Sequence, residues 1–491
     1  MKYNNRIMRL LTSAIIILTS ISAFSQNDAR EEYEKFRRQM MGKYDDFRSE
    51  ANRKYADFLR LAWEEYKQKP AIPKPKDEKR PPVVMPDKDK GKPVEDKPVT
   101  IDGVVTPPAP QPQPKPLAPI REQPQPEDKT ITFSFYKTEC EVRFPDKATF
   151  SLAKCDKNAL ADAWEKLSES DYNNTIRDCL DLRDKLQLCD WAYINMLKTM
   201  SEACLGKTNE AALLAAYVYC QSGYDMRLGV TGGKVCLLYA SRYIIYDMGY
   251  YSVDGKHYYP FEKSGDAMYI CDASFPDEKP LDLLIPKAMS LAYATTTERT
   301  IQSKRYPEMK SMVSTNRNLI NFYNTYPSSM TDNDFMTRWA FYANTPMEGK
   351  TSEKLYGDIK PHLEGLGTKD AVEKLLNFVQ TGFVYEFDDK VWGCDRAFFA
   401  EETLFYPYCD CEDRSILFSH LVRDLLRLKV VLVYYPGHLA TAVRFDEDVN
   451  GDYLNVGDDK YVVCDPTYIG APVGRTMPGM DNKSAKVILL N

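Results

Sequence analysis

Histidine is scarce in this chain of 491 residues, which holds only 4. Any histidine-dependent chemistry must choose among His257, His362, His420 and His438. Positive charge is not in excess. The formal net charge is −6, which argues against nucleic acid as the main partner. The apolar run Leu10 to Ile21 falls short of the about 20 residues that a membrane-spanning helix needs. No cysteine follows that run, so nothing there invites a lipid anchor. What is present is globular in composition: 43% hydrophobic and 28% charged residues. Collagen, a wholly disordered chain and a polytopic membrane protein are excluded.

Lys2, Arg6 and Arg9 precede the apolar run, and Ala23-Phe24-Ser25 supplies small residues at a cleavage site. Residues 1–25 read as a secretory signal peptide cut before Gln26. The expected location is therefore the periplasm, the cell surface or the medium. Export permits disulfides. The 12 cysteines are spread through the chain rather than packed into a short scaffold. Buried free thiols are the expectation for most, with a Cys409–Cys464 bridge, or one to Cys394, left open.

Residues 26–69 form a helical arm. Within 28–68, Tyr33, Tyr44, Tyr55 and Tyr66 recur with Phe36, Phe47 and Phe58, and Met40, Ala51 and Ala62 complete an 11-residue period. That period keeps one seam on a nearly straight helix. The seam wants a partner: another protein, a second copy, or the protein's own body. Residues 70–130 form a proline-rich linker, with 17 of the 31 prolines between Pro70 and Pro126. Extended polyproline II and a tether are expected there. Residues 131–300 read as an N-terminal α+β domain. Residues 301–491 read as a second α+β domain, with a helix at about 369–380.

The chemistry concentrates in the second domain. Asp410 is a good N-cap, so Cys411 falls in the first turn of an apolar-periodic helix through Leu428. Free N–H groups there favour a thiolate, whereas Glu412 and Asp413 oppose it, so a basic partner is required. His438 opens a strand after the turn Pro436-Gly437, and Asp465 closes a later one. A helix packed on such a sheet can present Cys411 to His438, with Asp465 orienting the imidazole. His420 lies nine residues after Cys411 on the same helix, on the opposite face.

With these residues in view, residues from about 369 to 480 resemble the transglutaminase-like superfamily of papain-like cysteine enzymes, in an exported bacterial branch. The resemblance rests on Asp410-Cys411-Glu412-Asp413-Arg414-Ser415, on His438 opening a strand, on Asp465-Pro466-Thr467, and on Gln380-Thr-Gly-Phe-Val-Tyr385. It implies a papain-like core, a helix packed on an antiparallel sheet. It also implies an acyl-thioester mechanism on peptide or protein amides, by hydrolysis or by transfer, with Cys411 as nucleophile, His438 as proton shuttle and Asp465 as orienter. No cofactor or metal is implied. The family also contains inactive relatives, so a scaffold or binding protein of the cell envelope is the alternative. Two features depart from the family: Cys409 stands where a glycine is common, and Leu439 follows the histidine where tryptophan is frequent. The Cys411 backbone N–H is one oxyanion donor, with Gln380 and Trp392 as candidates for a second.

Three further readings remain open on residues alone. Zinc held by Cys409, Cys411, His438 and Cys464 has suitable ligand types, but the one-residue spacing of the first two chelates poorly. Phe398, Phe399, Phe405, Tyr406 and Tyr408 either line a groove or pack the helix start. Finally, the 131–300 domain repeats the order of the catalytic core. Gly233-Lys234 stands where Gly437-His438 stands, and Val253 to Pro260 echoes Val456 to Pro466. It is either a degenerate copy or a chance likeness of short α/β stretches.

Overall fold

Two sheets organise the chain. In the computed structural model, which describes residues 26–491 except 77, 102, 123–127, 147–149, 263–264, 266 and 332–333, the chain is mixed α+β. The signal-peptide reading of residues 1–25 lies outside the described residues. No helix of the described residues is long and apolar enough to cross a membrane. The strands of the two sheets are, in chain order, β1 (Trp63–Lys67), β2 (Lys97–Thr100), β3 (Val104–Val105), β4 (Met226–Thr231), β5 (Lys234–Ala240), β6 (Tyr251–Val253), β7 (Lys256–Pro260), β8 (Ala267–Cys271), β9 (Lys429–Tyr435), β10 (His438–Arg444), β11 (Asp452–Val456), β12 (Asp459–Cys464) and β13 (Lys486–Leu489). Four helices concern the site: α1 (Gln26–Leu61), α2 (Asn209–Gln221), α3 (Thr368–Gly382) and α4 (Cys411–Leu426).

The first sheet runs β1-β8-β4-β5-β7-β6 and the second β2-β11-β12-β10-β9-β13-β3. Five strands of each share one plan. The order β8-β4-β5-β7-β6 matches β13-β9-β10-β12-β11, and every neighbouring pair in both runs is antiparallel. The turns match as well. Gly232-Gly233 joins Thr231 to Lys234 as Pro436-Gly437 joins Tyr435 to His438. Gly233 and Gly437 both take positive φ, 73° and 77°, a conformation glycine adopts without steric penalty. The register agrees too: Tyr239 faces Tyr259 as Val443 faces Val462. A helix precedes each hairpin and packs on it, α2 against β5 and α4 against β10.

The arm departs from expectation in where its helix ends and in which face it buries. The helix stops at Leu61, and Trp63–Lys67 extends to pair with β8, with Trp63 facing Cys271. Pairing to a sheet edge outweighs helix continuation there. Of the partners the seam could take, part of it meets the protein's own body. Ala51, Tyr55, Ala56 and Leu59 are buried, while Phe47 and Phe58 stay exposed. Asn52 exchanges hydrogen bonds with Gln221 and accepts one from Trp164 Nε1. The buried face thus follows ordinary helical spacing, which takes Phe47 and Phe58 off it.

The proline-rich stretch is not a free tether. Val83–Val84 runs parallel to Tyr468–Ile469, β2 joins β11 and β3 joins β13. Further on, Arg183 donates to Pro114 O, and Gln113 donates to Leu188 O. The extended backbone that proline imposes suits a sheet edge, and the residues between prolines keep their N–H groups for pairing. One hydrophobic core joins both halves: Trp164, Tyr219 and Tyr239 from the first belong to the same cluster as Phe399, Cys411, Ile416 and Leu439. All 12 cysteines are free, so neither anticipated bridge forms.

Candidate active site

Cys411 is the first residue of α4 and is 2% exposed. The Asp410 N–H donates to Asp413 Oδ2, which closes the helix start from within. The other Asp413 oxygen accepts the Phe398 N–H, anchoring the aromatic segment before the cysteine. The helix is registered on the sheet by Ser415, whose Oγ donates to Leu439 O at 2.9 Å. The Leu439 main chain also hydrogen-bonds Cys411. Cys411 therefore abuts the residue that follows His438.

His438 lies at the start of β10 and Asp465 just past the end of β12, both 2% exposed. The pairing of β10 with β12 brings them together, with His438 Nε2 2.9 Å from Asp465 Oδ2. Oδ1 of Asp465 accepts the N–H groups of Thr467 and Tyr468, fixing the carboxylate plane. His438 Nδ1 is buried and has no hydrogen-bond partner. The Cys411 thiol does not bond it. It donates to Glu412 Oε2 at 3.2 Å.

The electrostatics differ from the expected activated thiolate. Burial first, then Glu412 and Asp410, push the Cys411 thiol well above its ordinary value, against the opposing pull of Lys79 and the Leu439 main chain. Desolvation and two carboxylates outweigh the helix N-terminus, so Cys411 rests as a neutral thiol.

Gln380 is close to this site, but its amide serves another end. Nε2 donates to the carbonyls of Asp465, Tyr468 and Ala471, and Oε1 accepts the Gly470 N–H. Its donors are committed to holding the Asp465–Ala471 loop, which removes it as an oxyanion donor. Arg414, 1% exposed, complements it by donating to Gln380 O, Pro466 O and Phe383 O. Trp392 packs on Phe398, Tyr406 and Arg396, and no contact brings its ring to Cys411. Phe398 and Phe399 are fully buried and pack the helix start. His420 sits apart, 3.8 Å from Asp424. The zinc set does not converge: the Cys409, Cys411 and Cys464 sulfurs turn to Val384 O, Glu412 and Val462 O, and His438 to Asp465.

One residue beside the candidate site was not anticipated. Lys79, from the proline-rich stretch, extends its ammonium among the carboxylates of Asp388 (3.1 Å), Asp395 (2.8 Å), Glu412 (2.7 Å) and Asp410. Its side chain is 10% exposed. Burial alone would favour neutral Lys79, but Glu412, Asp410, Asp395 and Asp388 together outweigh it and raise its pKa. Glu412 is buried, yet Lys79 holds it down to about 2, while burial lifts Asp388 to about 6. The neighbours of Lys79 also cross the site: Arg80 N–H donates to Gly437 O at 2.9 Å, and Tyr385 OH donates to Arg80 O. Only the unusual density of acids around Cys411 hinted in the sequence that a cation must arrive from elsewhere.

The first sheet holds the corresponding position in another form. Asn209 opens α2 and binds Gly233 O and Val235 N, as Cys411 abuts Leu439. Lys234 takes the place of His438, and Glu262 that of Asp465, since Phe261 N–H bonds Leu237 O where Cys464 faces Thr441. A cleft of about 970 Å³ opens there, lined by Asn209, Lys234, Val235, Phe261 and Glu262 among others. Comparison with protein-family models, curated proteins and solved structures returns no match.

Proposed function

We propose that the chain is an exported cysteine amidase or acyltransferase of transglutaminase-like type, with Cys411, His438 and Asp465 as its reactive triad. The observation that carries this is the fully buried His438–Asp465 pair at 2.9 Å, beside Cys411, with His438 Nδ1 left free to take a proton. In the reaction, Cys411 Sγ forms a bond to the amide carbonyl carbon while its proton passes to His438. His438 then protonates the departing amine as the C–N bond breaks, leaving an acyl-thioester. Water or an incoming amine attacks that ester, gives its proton to His438, and the thiol is regenerated. The Cys411 backbone N–H is the natural donor to the oxyanion. The first sheet, with Asn209, Lys234 and Glu262 at the equivalent places, is an inactive copy of this core.

The test is alkylation of the full mature chain with iodoacetamide, followed to completion by peptide mass spectrometry because the thiol is buried. His438-dependent labelling of Cys411 supports the reading. Labelling that is unchanged in His438→Ala overturns it. A second reading, a binding scaffold without turnover, is favoured by one observation: the thiol is bonded to Glu412 and held neutral. An amine-acceptor assay then separates hydrolysis from transfer.

A further inference from the structure

A segment of the chain itself lies against the turn that leads into His438. Glu78, Lys79 and Arg80 lie across the turn between β9 and β10. A Cβ on Gly437 would fall 2.1 Å from Glu78 O, so the strap runs where only glycine admits it. Arg80 N–H bonds Gly437 O, its Nε bonds Pro436 O and its Nη1 bonds Gly479 O. The first is a main-chain pair, and the other two are Arg80 side-chain donors to main-chain carbonyls, so the segment is held on the turn by its backbone and by its guanidinium together. Between them the Lys79 side chain drops into the pocket of Asp388, Asp395, Asp410 and Glu412. That pocket adjoins the nucleophile, because Glu412 holds both Lys79 Nζ and the Cys411 thiol.

Among the described residues, the first sheet shows the same scaffold with no strap on its turn. Gly233, at the position of Gly437, has nothing within 4 Å of a Cβ, and the cleft lies open beside it. Taking the strap away from the second sheet would open the equivalent groove. It would also leave three buried carboxylates, Asp388, Asp410 and Glu412, and the partly buried Asp395 without the Lys79 cation, a costly state. Asp410 Oδ1 already lacks a hydrogen-bond partner although Asp410 is fully buried. Whatever replaces the strap must therefore bring positive charge to that spot.

We propose that Glu78-Lys79-Arg80 is a built-in pseudosubstrate, and that Asp388, Asp395, Asp410 and Glu412 form a subsite for a cationic side chain of the peptide that displaces it. This rests on reading Cys411 and His438 as the reactive pair. It names the substrate class, an extended peptide with a lysine or arginine beside the reacting carbonyl, and it makes the resting chain latent.

The experiment measures the rate of Cys411 alkylation by iodoacetamide in the full chain, with native circular dichroism as the folding check. Lys79→Met and Arg80→Pro are expected to raise the rate about tenfold or more, and Lys79→Arg to keep the parental rate. Arg80→Pro removes the N–H bonded to Gly437 and leaves the acidic pocket paired, so it carries the test if Lys79→Met does not fold. A synthetic peptide of residues 74–84, added to the Lys79→Met chain, whose acidic pocket is vacant, should restore protection, and its Lys79→Glu form should not. Unchanged rates in the folded variants overturn the strap, and so do two peptides that protect equally. Protection restored by Ca²⁺ alone, and not by the peptide, overturns the side-chain subsite. His438→Ala in the Arg80→Pro chain separates the two proposals: if only the catalytic reading fails, the rate loses its dependence on His438 but keeps its dependence on the strap.

Discussion

Gly233 and Gly437 form a matched pair in which one mutation can be read against the other. Both close the same two-residue turn at nearly the same φ, 73° and 77°. Alanine at either costs about 1–2 kcal/mol for the left-handed conformation. At Gly233 nothing more is lost, since the new methyl meets open space. At Gly437 it meets the carbonyl of Glu78 at 2.1 Å, far inside contact distance. The strap must yield, losing the Arg80–Gly437 bond, worth about 1 kcal/mol, and loosening Lys79 in its pocket. Pulling a buried charge off its partners costs about 3–5 kcal/mol, so part of that is added. Gly437→Ala should therefore destabilise by about 3–6 kcal/mol, and Gly233→Ala by about 1–2 kcal/mol. Urea unfolding followed by fluorescence and circular dichroism measures both, with m unchanged. Cys411 alkylation should accelerate in Gly437→Ala and stay at the parental rate in Gly233→Ala. Equal losses of stability, with Cys411 equally protected in both, would refute the reasoning.

Gln380→Leu keeps the volume but strips partners from Gly470 N–H and from three buried carbonyls; it should cost about 2–4 kcal/mol, measured by urea midpoint, and an effect under about 1 kcal/mol would show that the loop holds itself. Asn52→Ala leaves Trp164 Nε1 and the Gln221 amide without partners and should undock α1, cutting stability by about 2–3 kcal/mol and exposing the arm to proteolysis; an unchanged digestion pattern would count against docking. Burial raises Glu401 and Glu402 to about 7, so the folded chain binds more protons than the unfolded one between about pH 4.3 and 7. Stability contributed by those protons falls as pH rises through that window, and Tm should be higher at pH 6 than at pH 8. Glu412 works the other way, at lower pH, because Lys79 depresses it to about 2.

What was legible in the sequence was whatever a local rule decides. Asp410 with Asp413 marks a helix start, Pro436-Gly437 marks a turn, and Pro466 ends a strand, so Cys411, His438 and Asp465 could be set on element ends from spacing alone. The structure brings His438 and Asp465 into contact as that spacing requires, and sets Cys411 against Leu439. The Gly233-Lys234 echo of Gly437-His438 is likewise a local signal, and it led to a shared strand order and register. The illegible part is what tertiary charge decides. Lys79 lies 332 residues before Cys411 and no periodicity links them. Proline density predicts an extended backbone but not whether a sheet edge is waiting for it, and here β2 and β3 find two.

The misjudged thiol follows from the same limit. A helix N-terminus lowers a thiol pKa when the surroundings are polar, and the sequence shows the N-terminus. It does not show that Asp410, Cys411 and Glu412 are all buried, which reverses the balance. The chain then has a reason to carry Lys79: with Asp388, Asp395, Asp410 and Glu412 gathered at one spot, a nearby cation offsets their mutual repulsion and burial. The first sheet supports this by contrast. Its counterpart residues, Asn209 and Lys234, do not gather acids in this way; Lys198 already pairs with Glu262, and the cleft stays open without a strap. Among the described residues a strap lies where the acids gather and none lies on the first sheet's matching turn, which ties the segment to the charge gathered there and not to the sheet beneath it.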